Sequence, residues 1–427
     1  MSWSGRRLHF VGIGGAGMSG LALVAKALGA EVTGSDRSES SYTARLREAG
    51  IEPAIGHAAE NVPAGAEVVV STAIAPDNPE LAATAAAGAA VLHRGDLLGE
   101  ATRLRRTIAV AGTHGKTTTA SMAAHVLVEA GREPSYLIGG ELRSTGTNAA
   151  WGAGEWLVVE ADESDRSFLK LEPEVAVITN IELDHHATFA TLGELEEAFR
   201  EFAAGARLVI RDFEEPAAEL LPMGARFSLL GAQFELQVPG RHNVLNAVAA
   251  TLACQEAGVP AAEAASALRS FQGAGRRFEP HGRGPGGSRI YDDYAHHPTE
   301  VAATLDAART LGAGRLVACF QPHLFSRTRY LARDFGRALA LADVVVVLDV
   351  YPARERAEDF PGVSGWDVAA AAADAARGRP VYWAPTLEEA EGLLRGELRE
   401  GDVLLTLGAG DVDSVARSLA DEVGLAA

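Results

Sequence analysis

The chain has 427 residues, of which 47% are hydrophobic and 22% are charged, and its formal net charge is -19. At roughly 150 residues per domain this length predicts about three domains, and the composition excludes a largely disordered chain. The acidic balance argues against nucleic-acid and membrane-surface partners and favours small molecules, although a merely acidic surface explains the charge as well.

Short β-rich runs alternate with helical runs along the whole chain. The first region has predicted strands at "LHFVGIG", "AEVTGSD" and "AEVVVSTAI" and a helix over Met18–Leu28, which Gly29 ends. The second region has strands at "TIAVAG", "WLVVEAD" and "VAVITN" and a helix over Lys116–Ala130. In the last third a helix begins at Pro298, and strands follow at "RLVACFQ", "ADVVVVLDV", "PVYW" and "DVLLTLG". This alternation predicts parallel α/β sheets throughout.

Two stretches without strand signals divide the chain. Arg103–Arg106 separates the first region from the second. The Gly/Pro-rich stretch "EPHGRGPGGSR", Glu279–Arg289, separates the second from the third. We therefore predict domains over residues 1–104, 105–278 and 279–427.

The first predicted strand runs into a first glycine loop, residues 12–17, within "HFVGIGGAGMSG". Gly12, Gly14 and Gly17 fit the pattern G-x-G-x-x-G between a strand and a helix, and Asp36 ends the next strand. Such glycines let the backbone approach a pyrophosphate at a helix N-terminus. The loop therefore predicts a nucleotide diphosphate, in a dinucleotide or a UDP-sugar, with a mere tight turn as the alternative.

A second glycine loop, residues 112–117, lies within "VAGTHGKTTTA". It departs from the standard P-loop because Val110 stands where that pattern has its first glycine. Its N–H groups and the following helix N-terminus would still face phosphates, Lys116 would reach the β- and γ-phosphates, and the Thr117 hydroxyl would bind Mg²⁺. The alternative is a glycine turn with a surface lysine.

Polar residues stand at the carboxyl ends of the next two strands, where open α/β sheets bind ligands. Glu160 ends one strand, and we interpret it as a second metal-binding group. After the other strand come Asn180, Asp184, His185 and His186. We favour His185 as a metal ligand over a structural histidine. For the acids of "EADESD" we favour a solvated loop: Asp162, Glu163 and Asp165.

The remaining features indicate a cytoplasmic protein. The start, "MSWSGRRLHF", has no apolar run of the signal-peptide kind, and no run approaches the roughly 20 apolar residues of a membrane span. Cys254 and Cys319 lie in apolar surroundings, so we interpret both as core residues rather than as a disulfide or zinc site.

Together these stretches resemble the Mur ligase family, over nearly the whole chain. The landmarks are, in order, "GIGGAGMSGLA", "AGTHGKTTT", "EADESDRSFL", "TNIELDHH", "PGRHNVLNA", "FQGAGRRFE", "DDYAHHPTE", "FQPH", "SRTR", "LDVYPARE" and "GAGDV". The opening "GIGGAGMS" and "DDYAHHPTE" are most similar to the alanine-adding member. The resemblance implies a Rossmann-like N-terminal domain for the UDP end, a central P-loop-type ATPase domain with a parallel sheet, and a C-terminal Rossmann-like domain for the amino acid.

The activity implied by this resemblance is ATP-dependent ligation in peptidoglycan precursor synthesis. L-Alanine would be joined to the lactyl carboxylate of UDP-N-acetylmuramate through an acyl phosphate, with Mg²⁺ required and ADP and phosphate released. The expected partners are these small-molecule substrates, with no nucleic acid and no membrane, and the chain would be a monomer or a weak homodimer.

The resemblance also implies roles for individual residues. UDP-substrate contacts are implied for Gly12, Gly14, Gly15, Ala16, Gly17, Met18, Ser19, Asp36, Ser71 and Thr72. ATP contacts are implied for Gly112, Thr113, His114, Gly115, Lys116, Thr117, Thr118, His242, Asn243, Asn246, Arg277 and Asp293. The implied magnesium ligands are Thr117, Glu160 and His185, and the implied contacts to L-alanine are Tyr294, His296 and Arg327. The catalytic residues would be Lys116, His185 and His296, where His296 either takes the amine proton or only positions the alanine.

Two departures and three alternatives remain. Leu324 stands where the family often has an arginine, which leaves Arg327 to bind the amino-acid carboxylate, and the segment between Asp212 and Gly240 is shorter than usual. One alternative is a murein-tripeptide recycling ligase of the same fold. Another, an NAD-dependent oxidoreductase, leaves the second glycine loop unexplained, and the third is a non-catalytic nucleotide-binding protein.

Overall fold

The computed structural model describes residues 3–186 and 188–424, which divide into two compact units. The first unit contains the chain up to Leu183, Thr191–Glu214 and Asn246–Ala267. The second unit contains Asp184–Ala190, Glu215–Leu245 and the chain from Leu268 onward. A search of the described residues finds no helix that is long and apolar enough to cross a membrane.

Five parallel strands form the first sheet, in the order β3-β2-β1-β4-β5. The strands are β1 (Arg7–Val11), β2 (Glu31–Asp36), β3 (Ala54–Ile55), β4 (Glu67–Val70) and β5 (Val91–His93). The connecting helices are α1 (Ala16–Ala27), α2 (Ser41–Glu48), α3 (Pro79–Ala86) and α4 (Arg94–Thr102). Because β1 lies between β2 and β4, the strand order reverses there, and a crevice for ligands opens at the carboxyl end of β1.

The second sheet also belongs to the first unit and has the order β11-β10-β6-β9-β7-β8. Its strands are β6 (Arg106–Ala111), β7 (Ser135–Leu142), β8 (Thr147–Ala150), β9 (Trp156–Glu160), β10 (Val175–Ile178) and β11 (Leu208–Ile210), with helices α5 (Lys116–Glu129) and α6 (Leu192–Ala203). The central β6 pairs in parallel with both β9 and β10. The carboxyl ends of these three strands therefore meet at one edge, where the second glycine loop begins.

The prediction of parallel pairing throughout is wrong for β8, which runs antiparallel to β7. Only residues 143–146 connect the two strands, and Gly146 has a φ of 69°. A connection this short can only reverse the chain, whereas a parallel crossover needs a dozen or more residues.

A small sheet of three antiparallel strands was also missed. It consists of β12 (Ala218–Leu221), β13 (Gly224–Leu229) and β14 (Ala232–Leu236), and it lies in the segment between Asp212 and Gly240. Leu230 and Gly231 join the last two strands with positive φ values of 50° and 77°, as a type I′ hairpin turn requires. Helices α7 (Arg241–Glu256) and α8 (Ala261–Leu268) follow.

The last sheet belongs to the second unit and has the order β15-β16-β20-β17-β18-β19. Its strands are β15 (Glu279–Arg283), β16 (Arg289–Asp293), β17 (Leu316–Phe320), β18 (Val344–Val347), β19 (Val381–Trp383) and β20 (Val403–Leu407). Its helices are α9 (Pro298–Arg309), α10 (Phe325–Leu339), α11 (Gly365–Ala375), α12 (Leu387–Glu397) and α13 (Asp413–Gly424). The stretch Glu279–Arg289, predicted as a connection, instead contains β15, which pairs antiparallel with β16. It was missed because its main-chain pairing needs no apolar side chains.

Alternate residues of the last sheet pack into two separate cores. Ala318 and Phe320 belong to one buried cluster, while Val317 and Cys319 belong to the other. Side chains of a strand alternate between the faces of a sheet, so helices cover both faces. Cys319 and Cys254 are buried and free, which confirms their interpretation as core residues. Burial raises the pKa of the Cys319 thiol to about 12 and raises that of Cys254 further.

Candidate active site

The first glycine loop lies at the carboxyl edge of the first sheet, between β1 and α1. Gly12 has a φ of 77°, and a Cβ there would lie 2.9 Å from Cδ1 of Ile74. Gly14 donates its N–H to Oδ2 of Asp36 at 2.8 Å, so the carboxylate at the end of β2 contacts the loop. The loop therefore brings a close-lying backbone and a helix N-terminus together, an arrangement that accepts a diphosphate.

The other residues predicted for the UDP substrate lie at the same edge. Gly15 is the N-cap of α1, and no acidic residue lies in the first turn, which contains Ala16, Gly17, Met18 and Ser19. Ser71 and Thr72 follow β4, which pairs in parallel with β1. The side chains of Met18 and Ser19 are buried, so these two residues can offer only their main chain to a ligand.

A cation that the sequence analysis did not include lies beside this loop. Arg94 begins α4, and its Nη1 would lie 3.3 Å from a Cβ at Gly17. Its Nη2 donates to Oδ2 of Asp162 at 2.7 Å and to Oδ2 of Asp165 at 3.1 Å. Burial lowers the pKa of Arg94, but the two carboxylates outweigh burial and raise the pKa above its usual value. The available signal in the sequence was the position of Arg94 directly after a strand.

The second glycine loop has two positions that exclude any larger residue. Gly112 has a φ of 133°, and a Cβ there would lie 2.0 Å from Oγ1 of Thr179. Gly115 is the N-cap of α5 with a φ of 80°, and its Cβ would lie 2.5 Å from Oδ1 of Asn246. Both contacts would be clashes, so the turn in front of α5 favours glycine at both positions.

The loop between these glycines is fastened to the end of β10. Thr113 donates its N–H to the carbonyl of Asn180 at 3.1 Å, and His114 donates its N–H to Oδ1 of the same residue at 2.9 Å. Thr118 lies in the first turn of α5 and is buried. The loop is thus hydrogen-bonded to the residues that follow β10, and it leads into the N-terminus of α5, an end of a helix that attracts anions.

Lys116, the first residue of α5, is charged and already paired. Its Nζ lies 3.0 Å from Oε2 of Glu163 and donates to the carbonyl of Gly112 at 2.6 Å. Burial lowers the pKa of Lys116, but Glu163 and two further carboxylates outweigh burial and raise it. Glu163 is only 1% exposed and Asp165 pairs with Arg94, so the interpretation of "EADESD" as a solvated loop is wrong for these two residues.

Two of the predicted magnesium ligands, Thr117 and Glu160, belong to the first unit and contact each other. The Thr117 hydroxyl donates to Oε1 of Glu160 at 3.1 Å, while Oε2 of Glu160 accepts the N–H of Gly139 at 2.8 Å. Hydroxyl and carboxylate oxygens are the ligands that Mg²⁺ prefers, so this pair fits the predicted ion. His185 lies in the second unit, with a φ of 55°, and its role as the third ligand stays a prediction.

The residues predicted for the adenine side lie at the start of α7. Burial lowers the pKa of His242 to about 4, so its ring is neutral at pH 7. Asn243 donates its side-chain N–H to the carbonyl of Pro239 at 2.7 Å. Asn246 belongs to the first unit, where its Oδ1 accepts the Thr119 hydroxyl at 3.1 Å.

Arg277 and Asp293 lie close together in the second unit. Asp293 accepts the N–H groups of Phe278 and Ala295, both at 2.8 Å. Burial raises the pKa of Asp293 to about 6, against the opposing effect of Arg277. Arg277 also lies 3.8 Å from Glu300, so both predicted residues belong to one charged cluster.

The residues predicted for L-alanine come together around a further histidine, His323. Nδ1 of His296 lies 2.9 Å from the carbonyl of Tyr294, and the rings of these two residues meet edge to face at 5.3 Å. The His323 ring lies 5.9 Å from that of His296, and Nη1 of Arg327 lies 3.1 Å from Nδ1 of His323. Burial lowers the pKa of His296 to about 3, so this ring is neutral and only weakly basic.

Arg327 has a partner that the sequence analysis did not assign to it. Its Nε and Nη2 donate to the two carboxylate oxygens of Asp184, each at 3.0 Å, and both side chains are buried. Burial raises the pKa of Asp184, but Arg327 outweighs burial and holds it well below the usual value. A bidentate, buried pair of this kind fixes the segment that precedes His185.

A pocket adjoins this ion pair in the second unit. It is lined by Asp184, His185, His186, Leu324, Ser326, Arg327, Arg354 and Glu355. Two residues of the lining have a positive φ, 71° at Leu324 and 55° at His185. Such conformations are costly for these residue types and cluster at functional sites.

Family profiles match the chain in three consecutive regions. Residues 7–106 match "Mur ligase family, catalytic domain", residues 110–221 match "Mur ligase middle domain", and residues 276–410 match "Mur ligase, glutamate ligase domain". The predicted architecture of three α/β domains is confirmed, whereas the boundaries at residues 104 and 278 stay predictions.

Similar proteins cover the chain almost completely. A protein of Streptomyces coelicolor named UDP-N-acetylmuramate–L-alanine ligase is 46% identical, over 98% of this chain and 97% of the relative. The ligase of that name from Rubrobacter xylanophilus is 44% identical, over 97% and 99%. The crystal structure of a UDP-N-acetylmuramate-alanine ligase from Thermotoga maritima is 29% identical with a TM-score of 0.84, over 99% of this chain and 100% of that one. The chain therefore belongs to the Mur ligase family, among relatives named UDP-N-acetylmuramate–L-alanine ligase.

Proposed function

We propose that the chain joins L-alanine to the lactyl carboxylate of UDP-N-acetylmuramate with the hydrolysis of ATP to ADP and phosphate. The observation that carries this proposal is the pair of glycine loops in the first unit, each at the carboxyl edge of its own parallel sheet. Of the two loops, the second alone supplies a lysine, Lys116, which is partly buried and paired with Glu163. One loop suits a nucleotide that is held, and the other suits a nucleotide that reacts. The names of the similar proteins identify the two substrates that are joined, UDP-N-acetylmuramate and L-alanine.

On this proposal the UDP end of the substrate binds at the first glycine loop and ATP at the second. Lys116 contacts the phosphates, while Thr117, Glu160 and His185 hold Mg²⁺. His242, Asn243 and Asn246 form the adenine side, with Arg277 and Asp293 as further ATP contacts. The neutral ring of His242 supports this role, since an uncharged imidazole suits a nucleobase better than a cation does.

The chemistry follows from the poor reactivity of a carboxylate toward an amine. Transfer of the γ-phosphoryl group to the lactyl carboxylate makes an acyl phosphate, and attack by the alanine amine then forms the amide and releases phosphate. Two anions must approach in the first step, and the charged Lys116 offsets their repulsion. Mg²⁺, when bound, would neutralise further charge on the phosphates.

His296 faces the proposed amino-acid site as a neutral ring. Its Nδ1 bonds to the carbonyl of Tyr294, which makes that nitrogen the N–H donor and leaves Nε2 as an acceptor. A general base works best with a pKa near the working pH, and the pKa of His296 is about 3. We therefore favour a role in positioning the alanine amine over proton removal.

The proposed setting is the cytoplasm, with small-molecule substrates, ATP and Mg²⁺, and with the chain acting as a monomer or a weak homodimer. The recycling ligase is the weaker alternative. A murein peptide ligase structure from Psychrobacter arcticus is 25% identical with a TM-score of 0.70, below the alanine-ligase relatives in identity.

Phosphate release measured with ATP, UDP-N-acetylmuramate and each amino acid in turn tests the proposal. We expect release only when all three substrates are present, and with L-alanine among the active amino acids. Release that requires a murein tripeptide instead would identify the recycling activity. Substrate-dependent NADH absorbance without phosphate release would identify an oxidoreductase.

A further inference from the structure

Two arginines line the pocket beside His323, and they differ in their exposure to solvent. Arg327 is buried, whereas Arg354 is exposed at the mouth of the same pocket. The difference decides which of them can bind an incoming anion.

The charge of Arg327 is already matched. One fork of its guanidinium, Nε and Nη2, is taken by the Asp184 carboxylate, and Nη1 lies 3.1 Å and 3.3 Å from Nδ1 and the carbonyl of His323. A guanidinium has five N–H groups, so little of its bonding capacity is left for a ligand. A second carboxylate here would also have to compete with a buried one, at close range.

Arg354 follows β18 in a loop whose backbone is tied to the start of α10. Tyr351 donates its N–H to the carbonyl of Pro322 at 2.8 Å, and Leu324 donates its N–H to the carbonyl of Tyr351 at 3.0 Å. Glu355 then accepts the N–H of Ser326 at 2.9 Å and its hydroxyl at 2.5 Å. The residues on both sides of Arg354 are therefore fixed against the N-terminal end of α10.

The guanidinium of Arg354, in contrast, is uncommitted. It has no hydrogen-bond or ion-pair partner among residues 3–186 and 188–424. Its positive charge is nevertheless close enough to His323 to help burial, His296 and Arg327 in lowering the pKa of that ring to about 2. A fixed backbone with a free cation is the arrangement expected of a residue that waits for an anionic group.

One residue of the lining, Leu324, is apolar and held in an unusual conformation. Leu324 is only 5% exposed and has φ and ψ values of 71° and 132°. Its side chain supplies no hydrogen bond, so a bound carboxylate must find its partners elsewhere in the pocket lining. Arg354 is the available partner, because Ser326 is already bonded to Glu355.

We propose that Arg354 binds the carboxylate of the incoming amino acid, while the Arg327–Asp184 pair forms the rigid floor of that site. This inference rests on the proposed ligase function, and it names the residue that recognises an α-amino acid rather than a simple amine. It assigns Arg327 a positioning role through His323 and Asp184, in place of direct binding of the carboxylate.

The test compares L-alanine with L-alaninamide, which keeps the amine but lacks the carboxylate. Phosphate release by the full chain, with saturating ATP and UDP-N-acetylmuramate, gives kcat/KM for each of the two amines. In Arg354→Ala we expect the preference for alanine over alaninamide to fall by about ten- to a hundredfold, the worth of a charge-assisted hydrogen bond. The KM for ATP should not change, and Arg354→Lys should restore part of the preference.

Arg337→Ala is the matched control, because it removes one arginine charge from the exposed side of α10. It should keep the wild-type preference, and thermal melting should confirm that each variant is folded. An unchanged preference in Arg354→Ala overturns the inference while leaving the ligase function intact. Failure of the wild-type chain to ligate any amino acid overturns both.

Discussion

The two glycine loops of the first unit share one backbone plan and differ in charge. Each follows a parallel strand, contains a glycine of positive φ, and leads into a helix. The first turn of α1 has no charged side chain, and the loop before it meets the carboxylate of Asp36. The helix α5 instead begins with a partly buried lysine, Lys116, which is paired with Glu163. Backbone N–H groups suffice to hold a diphosphate, whereas a phosphoryl group in transfer needs a cation beside it.

A single acidic segment, residues 162–165, nevertheless serves both loops. Asp162 and Asp165 hold Arg94 beside the first loop, and Glu163 holds Lys116 in the second. The cations are therefore kept charged and oriented by neighbouring carboxylates of one short loop. The two loops of this chain therefore differ in where the cation stands: beside the first loop at the start of α4, and within the second loop at the start of α5.

Removal of Lys116 should have the largest effect, and it tests whether the two glycine loops differ in their need for a cation. Lys116→Ala should lower ligation by about a thousandfold or more, because it removes the cation that offsets charge during phosphoryl transfer. Affinity for UDP-N-acetylmuramate, measured by calorimetry, should stay at the wild-type value. Lys170→Ala, which removes an exposed lysine that pairs with Asp96, is the control. Ligation near the wild-type rate would mean that the second loop does not bind the reacting nucleotide.

Substitution of the proposed metal ligands should have the next largest effect, on the Mg²⁺ requirement. Glu160→Ala or His185→Ala should raise the Mg²⁺ concentration for half-maximal turnover by about 10- to 100-fold, since loss of even an outer-shell partner costs that much. A magnesium titration of phosphate release measures it, with the exposed Glu155→Ala as the control. If neither variant shifts the titration, the metal assignment is wrong.

Reciprocal glycine substitutions sharpen the division between the loops. Gly12→Ala should raise the KM for UDP-N-acetylmuramate alone, and Gly115→Ala the KM for ATP alone, each by about tenfold, because a Cβ at these positive-φ positions is strained and crowded. Gly131→Ala is the matched control, with a φ of 64° but no atom within 4 Å of its Cβ. Equal effects of one substitution on both nucleotides would show that the loops do not act separately.

The smallest expected effect is that of Arg94, the arginine beside the first glycine loop. Arg94→Ala should raise the KM for UDP-N-acetylmuramate by about fivefold, since a charge that is already paired with two carboxylates contributes modestly to binding. Steady-state kinetics with this substrate varied measure the change, and Arg7→Ala, an exposed arginine of β1, is the control. No difference between the two variants would limit Arg94 to a structural role.

The sequence predicted the parallel sheets, both loops and the contact of Thr117 with Glu160, because these depend on local signals: glycine spacing, buried strand runs and strand ends. The resemblance extended the prediction to the order of the domains. Antiparallel additions were missed, because β15 and β12–β14 lack long apolar runs and depend on pairing with distant or neighbouring strands.

Ion pairs between distant segments were beyond the reach of local patterns. Arg94 meets Asp162 across 68 positions of the chain, and Arg327 meets Asp184 across 143. Nothing in either neighbourhood specifies the partner, since any buried arginine would satisfy any buried carboxylate. Only the folded chain identifies which charge is committed and which, as at Arg354, is free.

The two buried thiols of the chain have a practical consequence. Thiolates, rather than thiols, react with maleimides and other alkylating reagents, and burial keeps Cys254 and Cys319 protonated and covered. The native chain should therefore give almost no background in fluorophore labelling. Single cysteines introduced at exposed positions of each unit could then carry donor and acceptor dyes for single-molecule energy transfer, without first removing the natural ones.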